Sequence, residues 1–555
     1  MSPLIRSLLS KRGFLDPQKI EEFLNPDYEL HTHPPELLEG MERAVARMLS
    51  AIAGGERIAV YADFDCDGIP GAAVLSDFLR KVGHENFEVY LPHRDREGYG
   101  FHQEAIEELA ARGISLIVTV DVGTTALQAV RRAKELGVDV IVTDHHEITG
   151  ALPEAVAVLN PKLGEYPFRD LCGAAVAFKF AQALITEGKR QGIERFVAVP
   201  VGWEKWLLDM VAIATIADMV PLVGENRVLV HFGLKVLRRS PRQGILALCS
   251  RLRLRRAELT EDDVAFSIAP RINAASRMDE PDLALALLTT TDPNEAEKLA
   301  AHLESLNSRR KGVVAGVVRQ ARKSASSRYA PDAHVVVLGN PEWKPAILGL
   351  AANSIMAERG GVVCLWGRDA KGRLKGSCRS DGSVSIVDLF ANAHDAFEEY
   401  GGHAYSGGFS VSHENVHTLG ETLVRAAAEM EKVGSDKGKG THDALTSLSE
   451  ISPVLFGEVS QLAPFGVGNP KPVFQVCDVL VTDIRRFGRD SAHIELQLEC
   501  RRTGSRARAF DFFRSPEGFT HMPAPGAEMK VLATIERDSY RGGLALRLVD
   551  ILKPA

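Results

Sequence analysis

The chain is expected to fold as an α/β protein of several domains: a parallel-sheet domain, a helical connector, a second α/β domain and a C-terminal antiparallel β-barrel. Three observations point there. Short β-branched runs alternate with amphipathic helices from about residue 51 to 160, the pattern of βαβ units in an open parallel sheet. A second strand-first segment opens with AHVVVLGN at 333–340 and reaches FSV at 409–411. Alternating runs such as PVFQVCDVLVTDI, AHIELQLEC, EMKVLATIE and GLALRLVDI follow.

At 555 residues the chain exceeds one hydrophobic core, and three to five domains are expected. Residues 1–50 read as a helical lead-in interrupted by Pro17, Pro26, Pro34 and Pro35, with His31 and His33 in a loop. Residues 51–230 hold the first α/β domain, with helices at 72–82, 102–112 and 125–137. Its segment WEKWLLDMVAIATIADMV (203–220) reads as a buried helix ending before Pro221. Residues 231–330 carry Leu, Ala and charged residues at helical spacing, which predicts a connector. The second α/β domain takes 331–435, and KVGSDKGKGTH at 432–442 lacks apolar periodicity, as a linker does. In the barrel, 445–555, basic and aromatic residues interleave (Phe487, Arg489, Phe510, Phe512, Phe513), which favours an oligonucleotide-binding fold over a plain packing barrel.

Composition is that of an ordinary globular chain, 45% hydrophobic and 25% charged. Seven cysteines without a CxxC pair argue against a zinc ribbon or a disulfide framework, and for a reducing compartment. The first residues lack the apolar core of a signal peptide, and no run of apolar residues is long enough to predict a membrane span. A net charge of −7 does not announce a nucleic-acid binder. Basic clusters recur at 251–256, 309–311, 485–489 and 501–508, and each is either a solvated face or a phosphate track.

Four apolar runs of the first domain stop at polar residues: before Asp63, Asp65 and Asp67; before Asp121; before Asp144, His145 and His146; and before Asn160. In an open sheet the crevice beyond the carboxyl ends of the strands binds ligand. Two carboxylates about 4 Å apart repel by roughly 4 kcal/mol at an effective dielectric near 20, so several together must be protonated, separated or bridged by cations. Asp63 or Asp121 alone could be a helix N-cap. The alternation in DFDCDG exceeds any capping need, and the histidines add nitrogen ligands. Imidazole with carboxylate favours manganese, with magnesium the alternative. Asp218 falls in the last turn of its helix, where the dipole makes an unpaired carboxylate costly and a metal would offset that cost. Two ions so held suit phosphate-ester hydrolysis by water. Asp121 would bridge them, Asp65 and Asp67 would divide between them, and His145 and Asp218 would complete the set. In the second domain Gly401, Gly402, Gly407 and Gly408 with His403, Ser377 and Arg379 read as a phosphate cradle.

The motifs DFDCDG, VDVGTT, TDHH and IADMVPL, in that order, resemble those of the DHH phosphoesterase superfamily, and GGHAYSGGF resembles the signature of its DHHA1 domain. PHRDREGYG, APRINAASRM, GSCRS and PFGVGNPKPVF extend the likeness over nearly the whole chain, toward the single-stranded-DNA exonucleases of that superfamily. The resemblance implies 5′-to-3′ removal of mononucleotides from single-stranded DNA with two Mn2+ or Mg2+ ions, in DNA repair and recombination. It further implies a cytoplasmic monomer whose partners are single-stranded DNA, a single-strand-binding protein and a helicase. Asp63, Asp65, Asp67, Asp121, His145, His146 and Asp218 match the metal and catalytic cluster, with Asp63, Asp121 and His146 as catalytic residues. Arg94, Ser377 and Arg379 match residues that hold the 5′ end, Arg271, Asn273 and Arg277 a substrate loop, and Gly402 and His403 the glycine-rich contact. Structural roles for Arg94 and Arg271 stay open. The chain departs from the pattern at Tyr61, where some relatives carry a metal-binding histidine, and at Ser276, Ser406 and Gly407. The competing readings are a phosphatase or oligoribonuclease acting on short oligonucleotides, a pyrophosphatase, and a non-catalytic DNA-binding scaffold.

Overall fold

A computed structural model describes residues 1–430, 441–488, 491–538 and 541–553. Most of the expected linker at 432–442, and Arg489 with it, lie outside the described residues. The chain forms two compact units, residues 33–220 with 232–435, and residues 1–32 with 221–231 and 436–555. Among the described residues no helix is long and apolar enough to cross a membrane.

The larger unit opens on a parallel sheet in the order β2–β1–β3–β4–β5. Its strands are β1 (Ile58–Ala62), β2 (Phe87–Tyr90), β3 (Leu116–Val120), β4 (Asp139–Thr143) and β5 (Ala157–Leu159). β1 and β3 are buried throughout, because helices cover both faces of a parallel sheet and leave polar residues only the strand ends. β2 lies outside the expected set: it is a half-buried edge strand whose short FEVY run carries no continuous apolar signal. The helix expected at 203–220 is a 3₁₀ turn, Trp203–Leu207, followed by an α-helix, Leu208–Ala217, with Asp218 at its C-cap. The 18-residue helix Gly173–Arg190 is buried over its first three turns and exposes Thr186 and Arg190 toward its C-terminus.

The connector is helical and ends in one long helix, Pro293–Arg328. A mixed sheet follows in the order β6–β7–β8–β10–β9: β6 (Val335–Gly339), β7 (Val362–Arg368), β8 (Leu374–Ser380), β9 (Glu399–His403) and β10 (Ser406–Val411). The helix Pro345–Arg359 packs over β7 and β8. Cys66, Cys172, Cys249, Cys477 and Cys500 are free, while Cys364 and Cys378 face each other across β7 and β8 and form a disulfide, a pairing not expected from the sequence. Fourteen residues apart in sequence, they give no spacing signal; only the strand register opposes them.

In the smaller unit β12 (Phe474–Phe487), β13 (His493–Cys500), β14 (Arg506–Asp511), β16 (Leu544–Leu552) and β15 (Glu528–Arg537) pair in that order, and β15 closes back on β12. All of these pairs are antiparallel except β14 with β16. A short strand, β11 (Ala444–Thr446), adds to β12 in parallel. Burial alternates along β12 and β13, as a barrel with one wet face requires. The N-terminal helices Pro3–Lys11 and Pro17–Leu24 bury Ile5, Leu8, Leu9 and Phe23 with Leu462 in this unit.

Candidate active site

Strand register assembles the site. Ala62 pairs with Val120, Val120 with Thr143, and Thr143 with Leu159, so the next residues, Asp63, Asp121, Asp144 and Asn160, come level in one row. The strand order reverses between β1 and β3, the topological switch point where open α/β sheets bind ligands.

Backbone donors hold most of these acids. Asp65 Oδ1 accepts from the N–H groups of Asp67 (2.7 Å) and Gly68 (3.2 Å), at the start of the helix Gly68–Lys81. Asp67 accepts from Gly173 (2.6 Å) and Ala174 (2.8 Å), the N-terminus of the helix Gly173–Arg190. Gly173 is obligatory for that approach: a Cβ there would lie 2.6 Å from the Cβ of Asp121. Asp121 itself takes the left-handed conformation, φ 61°, which costs a non-glycine residue free energy and is characteristic of functional positions.

His145 Nε2 lies 3.1 Å from Asp121 Oδ1, 3.6 Å from Asp67 Oδ2 and 3.7 Å from Asp218 Oδ2. Burial and the neighbouring His146 push its pKa down to about 3, so the ring is neutral and a lone pair is free to ligate. His146 differs. Burial opposes its charge, but a 2.7 Å hydrogen bond from Nδ1 to Asp144 outweighs this and raises its pKa. Asp144 is spent on support: it accepts from Thr124 N (2.8 Å), His145 N (2.7 Å) and His146, and despite burial its pKa is lowered. Asn160 donates to Thr124 Oγ1 and to the carbonyl of His146, both at 3.0 Å.

At Asp63, Asp121 and Asp218, and at Asp67 despite its two backbone donors, burial and like charge prevail. Asp63 and Asp121, 5% and 3% exposed, each have an Oδ1 with no hydrogen-bond partner among the described residues. Burial, then Asp65, raises the pKa of Asp63; burial, then Asp67 and the other acids, raises that of Asp121. Burial and Asp65 push Asp67 to about 6, while burial, Asp67 and Asp65 push Asp218 to about 9. Three ligand sets overlap here, each with its atoms within 4.8 Å of one another: Asp63, Asp65 and Asp121; Asp67, His145 and Asp218; Asp121, His145 and His146. Unpaired buried oxygens, a neutral imidazole and a shared Asp121 fit a pair of divalent cations.

A cavity of about 280 Å³ opens on this cluster, lined by Asp63, Asp65, Asp121, His146 and Asp218 with Phe64, Arg94 and Tyr99. The Arg94 guanidinium sits 4.8 Å from the centre of the Phe64 ring. Tyr99, absent from the predicted set though inside PHRDREGYG, brings its hydroxyl 3.2 Å from His146 Nδ1. Tyr61, the departure noted above, points elsewhere: its hydroxyl donates to the carbonyl of Gly100 at 2.9 Å.

The substrate-loop residues divide. Asn273 Oδ1 accepts from the backbone N–H of Cys66 at 3.1 Å, so it braces the acidic turn directly. Arg271 is engaged by Glu304 (2.6 Å) and by the carbonyl of Ser267 (2.7 Å). Arg277 makes no ion pair among the described residues and donates to the carbonyl of Ala346 at 2.6 Å. Ser377 and Arg379 lie on β8, where Arg379 donates to the carbonyl of Cys378 at 2.8 Å. Gly402 and His403 lie on the exposed edge strand β9.

Comparison with known proteins gives the same order of parts. Residues 57–215 match the DHH family N-terminal domain, 332–429 the DHHA1 domain and 442–550 the RecJ OB domain. The chain is 33% identical to the single-stranded-DNA-specific exonuclease RecJ of Bacillus subtilis over 90% of its own length and 63% of that protein's. It therefore spans less than two thirds of that relative. With the Escherichia coli protein of the same name identity is 32%, over 85% of this chain and 83% of the relative. The crystal structure of RecJ from Thermus thermophilus in complex with Mn2+ superposes with a TM-score of 0.80 at 30% identity, covering 100% of this chain and 76% of that one.

Proposed function

The chain belongs to the RecJ family of single-stranded-DNA-specific exonucleases, and from that membership we propose that it hydrolyses single-stranded DNA from the 5′ end, releasing mononucleotides. The observation that carries the proposal is the set of three overlapping ligand triads opening into a cavity that Arg94 also lines.

Asp63, Asp65, Asp67, Asp121, His145 and Asp218 would hold two divalent cations, manganese or magnesium. Bound there, these supply Lewis acidity, acidifying water and offsetting charge on the phosphoryl oxygens. The protein contributes the rest. Asp67 and Asp65, fixed by backbone N–H groups, keep the ligand oxygens in place before substrate arrives. His146, oriented by Asp144, holds a proton that it can deliver to the leaving oxygen. Arg94, Ser377 and Arg379 receive the terminal phosphate, which sets the scissile bond one nucleotide inward.

The barrel supports a further contact with the strand. Phe510 and Phe512 pack against Arg547, and Phe513 is 84% exposed, a surface suited to base stacking. Family membership is also what supports a cytoplasmic monomer working beside a single-strand-binding protein and a helicase in DNA repair and recombination.

With Mn2+ and 5′-labelled strands, the full chain is expected to release labelled mononucleotide from single-stranded DNA and to leave blunt duplex largely intact. Equal degradation of both, or activity unaffected by EDTA, would overturn the reading. Phe513→Ala is expected to weaken binding to long strands about tenfold, since stacking contributes roughly 1–3 kcal/mol per base. Unchanged affinity would return the barrel to a packing role.

A further inference from the structure

Four arginines of the larger unit, Arg94, Arg277, Arg310 and Arg379, make no ion pair among the described residues, although the charges of Asp63, Asp65 and Asp95 reach Arg94 and that of Asp65 reaches Arg277. Arg271 in the same region is neutralised by Glu304 at 2.6 Å. Packing brings the four toward one place. The helix Ala269–Arg277 packs on Pro293–Arg328, which carries Arg310, and Pro293–Arg328 packs on Pro345–Arg359. That third helix accepts Arg277 at the carbonyl of Ala346 and lies against Arg379 at Gly349. Burial, followed by the charges of Arg94, Arg310 and Arg379, pulls the pKa of Arg277 well down, and burial then Arg271 lowers that of Arg310. Like charges confined this way destabilise the fold unless an anion joins them.

The sequence presents Arg310 only as one member of a basic run. In the structure it is half-buried, and its Nε has no hydrogen-bond partner among the described residues. One turn earlier on the same helix Asn307 is 0% exposed with both amide atoms unpaired, so this stretch carries more polar capacity than the protein uses. A terminal phosphate held by Arg94, Ser377 and Arg379 leaves the charge of Arg277 and Arg310 unmatched.

We propose that Arg310, together with Arg277, binds a second backbone phosphate of the strand whose terminal phosphate engages Arg94, Ser377 and Arg379. This rests on the exonuclease reading, because it needs a polyanionic strand. It separates two jobs within the connector: Arg271 locks the helix pair through Glu304, and Arg310 meets substrate.

The test is the salt dependence of binding. The full chain in EDTA is titrated with a 5′-phosphorylated oligothymidylate of about 12 nucleotides, a length suited to a single-strand groove. Each phosphate contact to a single strand contributes about 0.7 to the slope of log K against log salt. Arg310→Gln is expected to lower the slope by about 0.7 with a melting temperature no lower than that of the wild type, Arg310→Lys to retain the slope, and Arg309→Gln, at the exposed neighbour, to retain it. A wild-type slope in Arg310→Gln, or an equal drop in Arg309→Gln, would overturn the proposal. A wild-type chain with no salt-dependent binding would instead overturn the exonuclease reading beneath it.

Discussion

At the carboxyl ends of β1, β3 and β4, acids converge around two imidazoles, whereas Arg94, Arg277, Arg310 and Arg379 gather in the same unit with no ion pair among the described residues. The two clusters manage like charge differently. Asp65, Asp67 and Asp144 are each held by two or more backbone N–H groups, and Asp67 also gains the N-terminal field of a buried helix. The arginines receive far less: a carbonyl for Arg277, another for Arg379, an aromatic face for Arg94. Acids can be stabilised by the ends of secondary structure, because helix N-termini and turns offer donors in groups. A guanidinium with five donors needs acceptors in a plane, which phosphate supplies and a packed helix does not.

The sharpest way to break this comparison is Asp121→Asn, which removes the charge shared by two ligand sets. Activity is expected to fall by about 10³-fold or more, the scale of losing a preorganised charge in an active site. The metal-free protein should at the same time melt higher near pH 8, because one buried like charge is gone. A mutant that melts lower would mean that Asp121 is held by contacts other than metal.

The next effect is on pH. Asp63, Asp67, Asp121 and Asp218 have pKa values raised above the ordinary 3.8, so the folded chain binds protons that the unfolded chain has released. Stability then falls with rising pH. The stabilising protons are all present below about pH 4 and are lost through about 6 for Asp67 and about 9 for Asp218. Melting of the metal-free chain should therefore drop from about pH 4 to about pH 9, the Asp67 part being complete near 6, and Mn2+ should flatten the profile. Parallel curves with and without Mn2+ would argue against ligation by these acids.

The smallest effect sharpens the arginine side. A Cβ at Gly349 would lie 2.6 Å from Arg379 Nη2, so Gly349→Ala should displace the guanidinium while the helix, which favours alanine, stays intact. The expected outcome is a KM for 5′-phosphorylated strands raised about tenfold, the worth of one charge-assisted hydrogen bond, with kcat less affected. Loss of the discrimination between 5′-phosphate and 5′-hydroxyl ends would locate the effect at the terminal phosphate.

Much of the acid cluster was legible because a strand buried on both faces excludes charge along its length, so DFDCDG after β1 and DHH after β4 stand out against apolar runs. The basic side was less so. Arg271 and Arg310 both lie on helices at comparable half-burial, and nothing in their spacing tells that one meets Glu304 and the other pairs with no acid among the described residues. Tyr99 and Asp144 were similarly silent: one sits in an irregular loop, and the other is one more acid in a row whose supporting role appears only through its bonds to Thr124 and His146.

The sequence by itself determined the parts: which runs become strands and helices, where carboxylates and imidazoles can stand, and that the chain ends in an alternating β-barrel. These follow from periodicity, which records the burial of each element. Tertiary structure alone decided the divisions among like residues: Asp121 as the acid common to two candidate ligand sets and Asp144 as brace, Arg271 paired with Glu304 and Arg310 without an ion pair among the described residues, Cys364 and Cys378 as a pair. Those outcomes depend on strand register and on which helix lies against which, and periodicity carries no record of the partner.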